Sequence, residues 1–81
     1  MKVTVKLFAG ARELAGHSEV KLDLPPSVTI ADVRKKLLTE FPQLASLLPH
    51  AVFAVDAHYA AEDSILDENS EVACIPPVSG G

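Results

Sequence analysis

The last two residues of the sequence, Gly80 and Gly81, are where its chemistry concentrates. A terminal carboxylate becomes reactive when an enzyme activates it as an acyl-adenylate. To be activated it must reach the α-phosphate of ATP inside another protein's active site. A narrow channel admits only a backbone without Cβ, and Gly-Gly is the most permissive backbone of that kind. Pro76 and Pro77 precede it and restrict the root of the segment, so that it projects from a domain at lower entropic cost. Val78 and Ser79 lie between and offer backbone that a partner can grip through strand-like hydrogen bonds. The expected organisation is a domain over residues 1–75 and a flexible C-terminal tail over residues 76–81. Two plainer readings of a Gly-Gly end are a frayed terminus and an expression scar.

Little else in the chain has the residue types for covalent or metal chemistry. Cys74 is the single cysteine, so no internal disulfide is available. Its place in a strand predicts a buried core thiol. His17, His50 and His58 have no metal-ligand spacing, and no metal site is expected. The chain has 81 residues, 48% of them hydrophobic and 22% charged, which predicts one folded domain. A chain this short buries only about 60–65% of the surface its unfolded form exposes, leaving little material for a deep catalytic cleft. No catalytic site of its own is expected. The net charge of −4 argues against nucleic-acid binding and fits a basic protein partner or plain solubility. No apolar run approaches the roughly 20 residues that span a bilayer. The N-terminus reads as a strand with no signal-peptide core, so a cytoplasmic location is expected.

The elements that must hold the tail follow from periodicity. Val3, Val5 and Leu7 alternate with Thr4, Lys6 and Phe8, and Val20, Leu22 and Leu24 alternate with Glu19, Lys21 and Asp23. These are half-buried strands joined as an antiparallel hairpin. The connection over 9–17 has room for a single helical turn. Pro25-Pro26 stops the second strand. Thr29 with Asp32 three residues on reads as a helix start. Ile30, Val33, Leu37, Leu38 and Phe41 then form an apolar stripe, with Asp32, Arg34, Lys35, Lys36 and Glu40 towards water and Asp32 and Lys36 as an i,i+4 pair. Pro42 ends this helix near Glu40, and residues 43–48 have the composition of a second, shorter helix. Residues 51–55 read as a strand buried on both faces, residues 58–60 as a short strand or turn, and residues 71–75 as the last strand. Asp67-Glu68-Asn69-Ser70 has turn chemistry, with Asn69 suited to positive φ. Strand, strand, helix, strand, short strand, strand predicts an α+β fold. Its expected form is the β-grasp or ubiquitin-like layout, a single mixed sheet with one main helix packed on one face and a protruding C-terminal tail.

With these elements in place, the ending Glu71-Val72-Ala73-Cys74-Ile75-Pro76-Pro77-Val78-Ser79-Gly80-Gly81 closely resembles that of the molybdopterin synthase small subunits, the sulfur carriers of molybdenum-cofactor biosynthesis. The resemblance covers nearly the whole chain. It includes Leu7-Phe8-Ala9, Arg12-Glu13-Leu14 and Gly16, Thr29 to Arg34, and Ala54-Val55-Asp56. Asp56 stands where the family often has Asn, and Glu68-Asn69-Ser70 where it has Asp-Gly-Asp. The resemblance implies a carrier that binds no cofactor itself. A partner adenylating enzyme, related to ubiquitin-activating enzymes, spends ATP on Gly81. A sulfur donor protein then supplies the sulfur of a thiocarboxylate. The tail next enters the large synthase subunit, as part of a heterotetramer, and delivers sulfur to cyclic pyranopterin monophosphate.

The family also implies that the sheet face and last strand dock against both partners. This makes Phe8, Tyr59 and Ile75 candidate contacts, together with Pro76, Pro77, Val78 and Ser79. Hidden instead of exposed, Phe8 would pack under the 9–17 connection. Arg12 is a candidate for pairing with a partner carboxylate. The acidic stretch Glu62 to Glu71 either steers the tail to a basic partner or is a solvated loop. Two other activities share the Gly-Gly end. One is sulfur carriage for thiamin thiazole or cysteine synthesis. The other is a ubiquitin-like protein modifier or interaction module, which would form isopeptide bonds.

Overall fold

A computed structural model describes residues 1–77. Val78, Ser79, Gly80 and Gly81 lie outside the described residues. Apolar alternation gives strands β1 (Lys2–Leu7), β2 (Glu19–Asp23) and β5 (Glu71–Ile75) one face each to bury. With β3 (Val52–Val55) and β4 (His58–Tyr59) they form one sheet of order β2-β1-β5-β3-β4. β1 and β5 run parallel and the other neighbours antiparallel. The β-grasp expectation therefore holds. Helix α2 (Ile30–Glu40) covers one face. Its Ile30, Val33 and Leu37 join Val3, Val5, Leu22, Phe53 and Val72 in a single buried cluster.

The start of α2 is fixed by local hydrogen bonds. Asp32 N–H donates to Thr29 Oγ1 at 3.3 Å, and Thr29 N–H donates to Asp32 Oδ2 at 3.0 Å, a reciprocal capping box. The bonds from Thr29 hold the Asp32 carboxyl below the usual carboxylate range. Two further orphan donors are met from outside, Ile30 N–H by Ser64 O and Ala31 N–H by Glu62 O.

Several expectations need correction. The 9–17 connection holds a seven-residue helix, α1 (Ala9–Ala15), closed by Gly16 at φ 78°. Residues 43–48 do not form an α-helix; two 3-10 turns, Pro42–Leu44 and Leu48–His50, tuck Leu44 and Leu48 into the core. Leu38 is exposed, because it lies about 100° around the helix from the buried Leu37. Asp32 is occupied by the cap, and the i,i+4 ion pair is Lys36–Glu40 at 3.5 Å. β3 is not buried on both faces, since Val52 stands exposed at one end of it. Asn69 is not at positive φ. The turn is held by Ser70, whose hydroxyl donates to Asp67 Oδ1 at 2.9 Å and accepts from Asp67 N–H at 3.2 Å.

Arg34 departs furthest from its expected place in solvent. Its guanidinium donates to the carbonyls of Leu48 and Ala51 and lies 4.8 Å from the centre of the Phe53 ring. It also makes a bidentate pair with Glu62, at 3.0 and 2.7 Å. That pair, chiefly its hydrogen bonds, holds the Glu62 carboxyl below its ordinary range. One side chain thus ties α2 to the entry of β3 and to the loop before β5.

Candidate partner-docking site

The open face of the sheet is built by register. Lys6 pairs with Ala73, Ala73 with Ala54, and Ala54 with Tyr59. One row across four strands therefore reads Lys6, Ala73, Ala54, Tyr59, all directed away from α2. The two alanines leave a trough between a lysine wall and a tyrosine wall. Ile75 pairs with Val52 in the row nearer the tail, and Glu71 lies in the row beyond, beside Thr4. Lys6 Nζ reaches Glu71 Oε1 at 3.3 Å. The resulting concavity has a volume of about 380 Å³. Tyr59 is 79% exposed and Phe8 44% exposed, so both offer large apolar area to solvent.

Two further concavities meet at the root of the tail. One, of about 420 Å³, runs between Val52, Tyr59 and Pro77. The other, also about 420 Å³, runs between Phe8, Gly10, Leu47 and Pro77. Ile75 borders all three hollows. Pro76 is buried and Pro77 exposed, so the chain stays anchored to the domain through Pro76. Phe8 sits in extended conformation between β1 and α1, with its N–H directed to Cys74 O at 3.4 Å, which places its ring beside the last strand.

The structure thus brings Phe8, Tyr59, Ile75, Pro76 and Pro77 to one surface. Arg12 does not share it: it is exposed on α1 and borders none of the three hollows. The expected roles of Val78, Ser79, Gly80 and Gly81 fall outside the described residues. Sequence reasoning passed over Ala54, Ala73 and Val52. Their signal is small or apolar residues at outward positions of strands whose inward positions are large.

Cys74 is fully buried, and burial pushes its thiol up to about 11 against a partial opposing pull from Arg34. A protonated, enclosed thiol is no nucleophile. The acidic stretch is largely engaged: Glu62 with Arg34, Asp67 with Ser70, Glu71 with Lys6. It enters β5 at the end opposite the tail. His17 packs edge-on against Phe41 at 6.2 Å. Among the described residues no group of three or more His, Cys, Asp or Glu is placed to hold a metal, and no helix is long and apolar enough to cross a membrane.

The ThiS family model matches residues 5–81. A molybdopterin synthase sulfur carrier subunit of Arabidopsis thaliana is 35% identical over 81 residues, covering all of this chain and 84% of the relative. The protein of the same name from Dictyostelium discoideum is 36% identical over 80 residues, covering 95% of this chain and 93% of the relative. Among solved structures, SAMP1, a small archaeal modifier protein of Haloferax volcanii, superposes with a TM-score of 0.88 at 30% identity over the whole of both chains.

Proposed function

Because the chain belongs to the ThiS family, we propose that it is the sulfur carrier subunit of a molybdopterin synthase. The observation that carries this reading is the convergence of three hollows on Ile75 at the root of the Gly-Gly segment. Such a surface suits a domain that is held by its face while its tail is threaded elsewhere.

In this reading the Gly81 carboxylate attacks the α-phosphate of ATP in an adenylating partner and pyrophosphate leaves. A sulfur donor protein carrying a persulfide then attacks the acyl carbon through its outer sulfur. The C–S bond forms as the bond to AMP breaks, and a thiol reductant cleaves the S–S bond to leave the thiocarboxylate. The thiocarboxylate is a soft anionic nucleophile that needs no assistance from this chain's side chains. Inserted in the large subunit, its sulfur attacks an electrophilic side-chain carbon of cyclic pyranopterin monophosphate, and an oxygen substituent leaves that carbon. Hydrolysis then cleaves the acyl C–S bond, leaving sulfur on the pterin and restoring the Gly81 carboxylate. Two such cycles build the dithiolene. Gly80 keeps the approach slim, and Val78 and Ser79 supply backbone for the partner to hold. Phe8, Tyr59 and Ile75 are the docking anchors.

Deletion of Gly81, or addition of one residue after it, is expected to abolish sulfur transfer while leaving the fold intact. Normal molybdopterin formation by either variant would sink the reading. A second reading is supported by the likeness to SAMP1, in which the activated Gly81 is captured by a lysine of a target protein as an isopeptide. It predicts a covalent conjugate carrying the mass of a whole target.

A further inference from the structure

We propose that the alanine-floored trough on the open face is a socket for an arginine side chain of a protein partner. The inference rests on reading that face as a partner surface. It names what the surface selects.

The trough is amphipathic along its length. Ala54 and Ala73 make a floor too shallow to fill it, and Tyr59, 79% exposed, stands as an aromatic wall. The tail end is apolar, bounded by Ile75 and Phe8. The other end is charged. There the Glu71 carboxylate lies on the wall, and Asp56 is tied to the same residue, its Oδ1 accepting from Glu71 N–H at 2.9 Å. Lys6 on the opposite wall pairs with Glu71 at 3.3 Å, so the lining itself carries one charge of each sign, and Asp56 lies just outside it. The Lys6–Glu71 pair is exposed on both sides, and pairs of that kind are readily exchanged.

A purely apolar side chain would fill the floor and leave Glu71 facing it. A carboxylate could pair with Lys6 but would face Glu71 and gain nothing from the Tyr59 ring. A long aliphatic stem with a cationic head satisfies both ends. Arginine does so better than lysine, because its planar guanidinium stacks on a tyrosine ring and pairs with a carboxylate in bidentate fashion. The overall charge of −4 points the same way.

The test is nuclear magnetic resonance titration of the full isotope-labelled chain with N-acetyl-arginine methylamide. The citrulline analogue, which has the same stem and no charge, and N-acetyl-leucine methylamide serve as comparisons. The arginine probe is expected to shift the amide resonances of Ala54, Tyr59, Glu71 and Ala73 several-fold more than either comparison. In Glu71→Gln, whose fold is checked by its own spectrum, that advantage should vanish. Equal shifts from all three probes, larger shifts from leucine, or no shifts at all would overturn the proposal. So would shifts spread equally over Asp63 and Glu68, the mark of loose counter-ion binding. The probes need no partner, so their failure leaves the carrier reading standing. Failure of the Gly81 test likewise leaves the preference of the trough measurable.

Discussion

The two faces of the sheet are made by the same strands and do opposite work. In β5, Val72 and Cys74 point to α2 and are fully buried, while Ala73 and Ile75 point outward and are partly exposed. In β3, Phe53 points in and Val52 and Ala54 point out. The covered face is filled with large side chains and fastened by Arg34. The open face has alanines at its centre and exposed aromatic rings at its rim. Burial of large groups is what stabilises a chain of 81 residues. Exposed apolar area adds nothing to folding and gains its value only against a second protein. Stability and recognition are thus segregated by strand register, one residue apart.

This contrast can be broken at graded cost. Phe53→Ala, on the covered face beneath Arg34, is expected to cost about 3–5 kcal/mol of stability in urea unfolding. A loss near that caused by outward substitutions would dissolve the distinction.

The thiol on the same face gives a pH signature. Its folded pKa is raised from 9.0 to about 11, so the native state binds the proton more tightly than the unfolded chain. Its contribution is complete below pH 9.0 and is lost as pH rises through about 11. The loss amounts to about 3 kcal/mol. Unfolding midpoints measured across that range should fall in the parent protein and fall less in Cys74→Ala, which starts lower because of its cavity.

On the open face, Tyr59→Ala and Phe8→Ala should leave stability within about 0.5 kcal/mol and weaken binding to a large synthase subunit by more than about 1 kcal/mol each. Calorimetric titration beside thermal unfolding separates the two. The smallest effect concerns the hairpin that carries Tyr59. Asp56 and Ala57 both take positive φ, 50° and 70°. Ala57→Gly removes the Cβ penalty at the cost of extra chain entropy, for a net gain of about 0.5–1 kcal/mol in the unfolding free energy.

The strands, the capped helix and the order of elements were legible because each is written in local periodicity or in a cap such as Thr29 with Asp32. What escaped was decided between distant segments. Arg34 has the spacing of a solvent-facing residue, and only the fold brings the Leu48 and Ala51 carbonyls and Glu62 within its reach. The turn before β5 offers Asn69 as the obvious residue for positive φ, yet the Ser70 hydroxyl closes it. Of the candidate site, Phe8 was visible as a large apolar residue on the polar side of its strand, and Tyr59 and Ile75 followed from the resemblance to a family that docks its sheet face. The alanine floor was not visible, because it exists only when Ala54 and Ala73 are laid side by side by the β3–β5 register.

The proposed carrier role puts the sulfur on Gly81. Its most direct test is the intact mass of the full chain after incubation with the adenylating enzyme, ATP and a sulfur donor, with fragmentation to locate the change. Replacement of one terminal oxygen by sulfur predicts a gain of about 16 Da on Gly81, reversed on addition of the large subunit and cyclic pyranopterin monophosphate. An unchanged mass, a gain located on Cys74, or a conjugate bearing a whole target protein would contradict it.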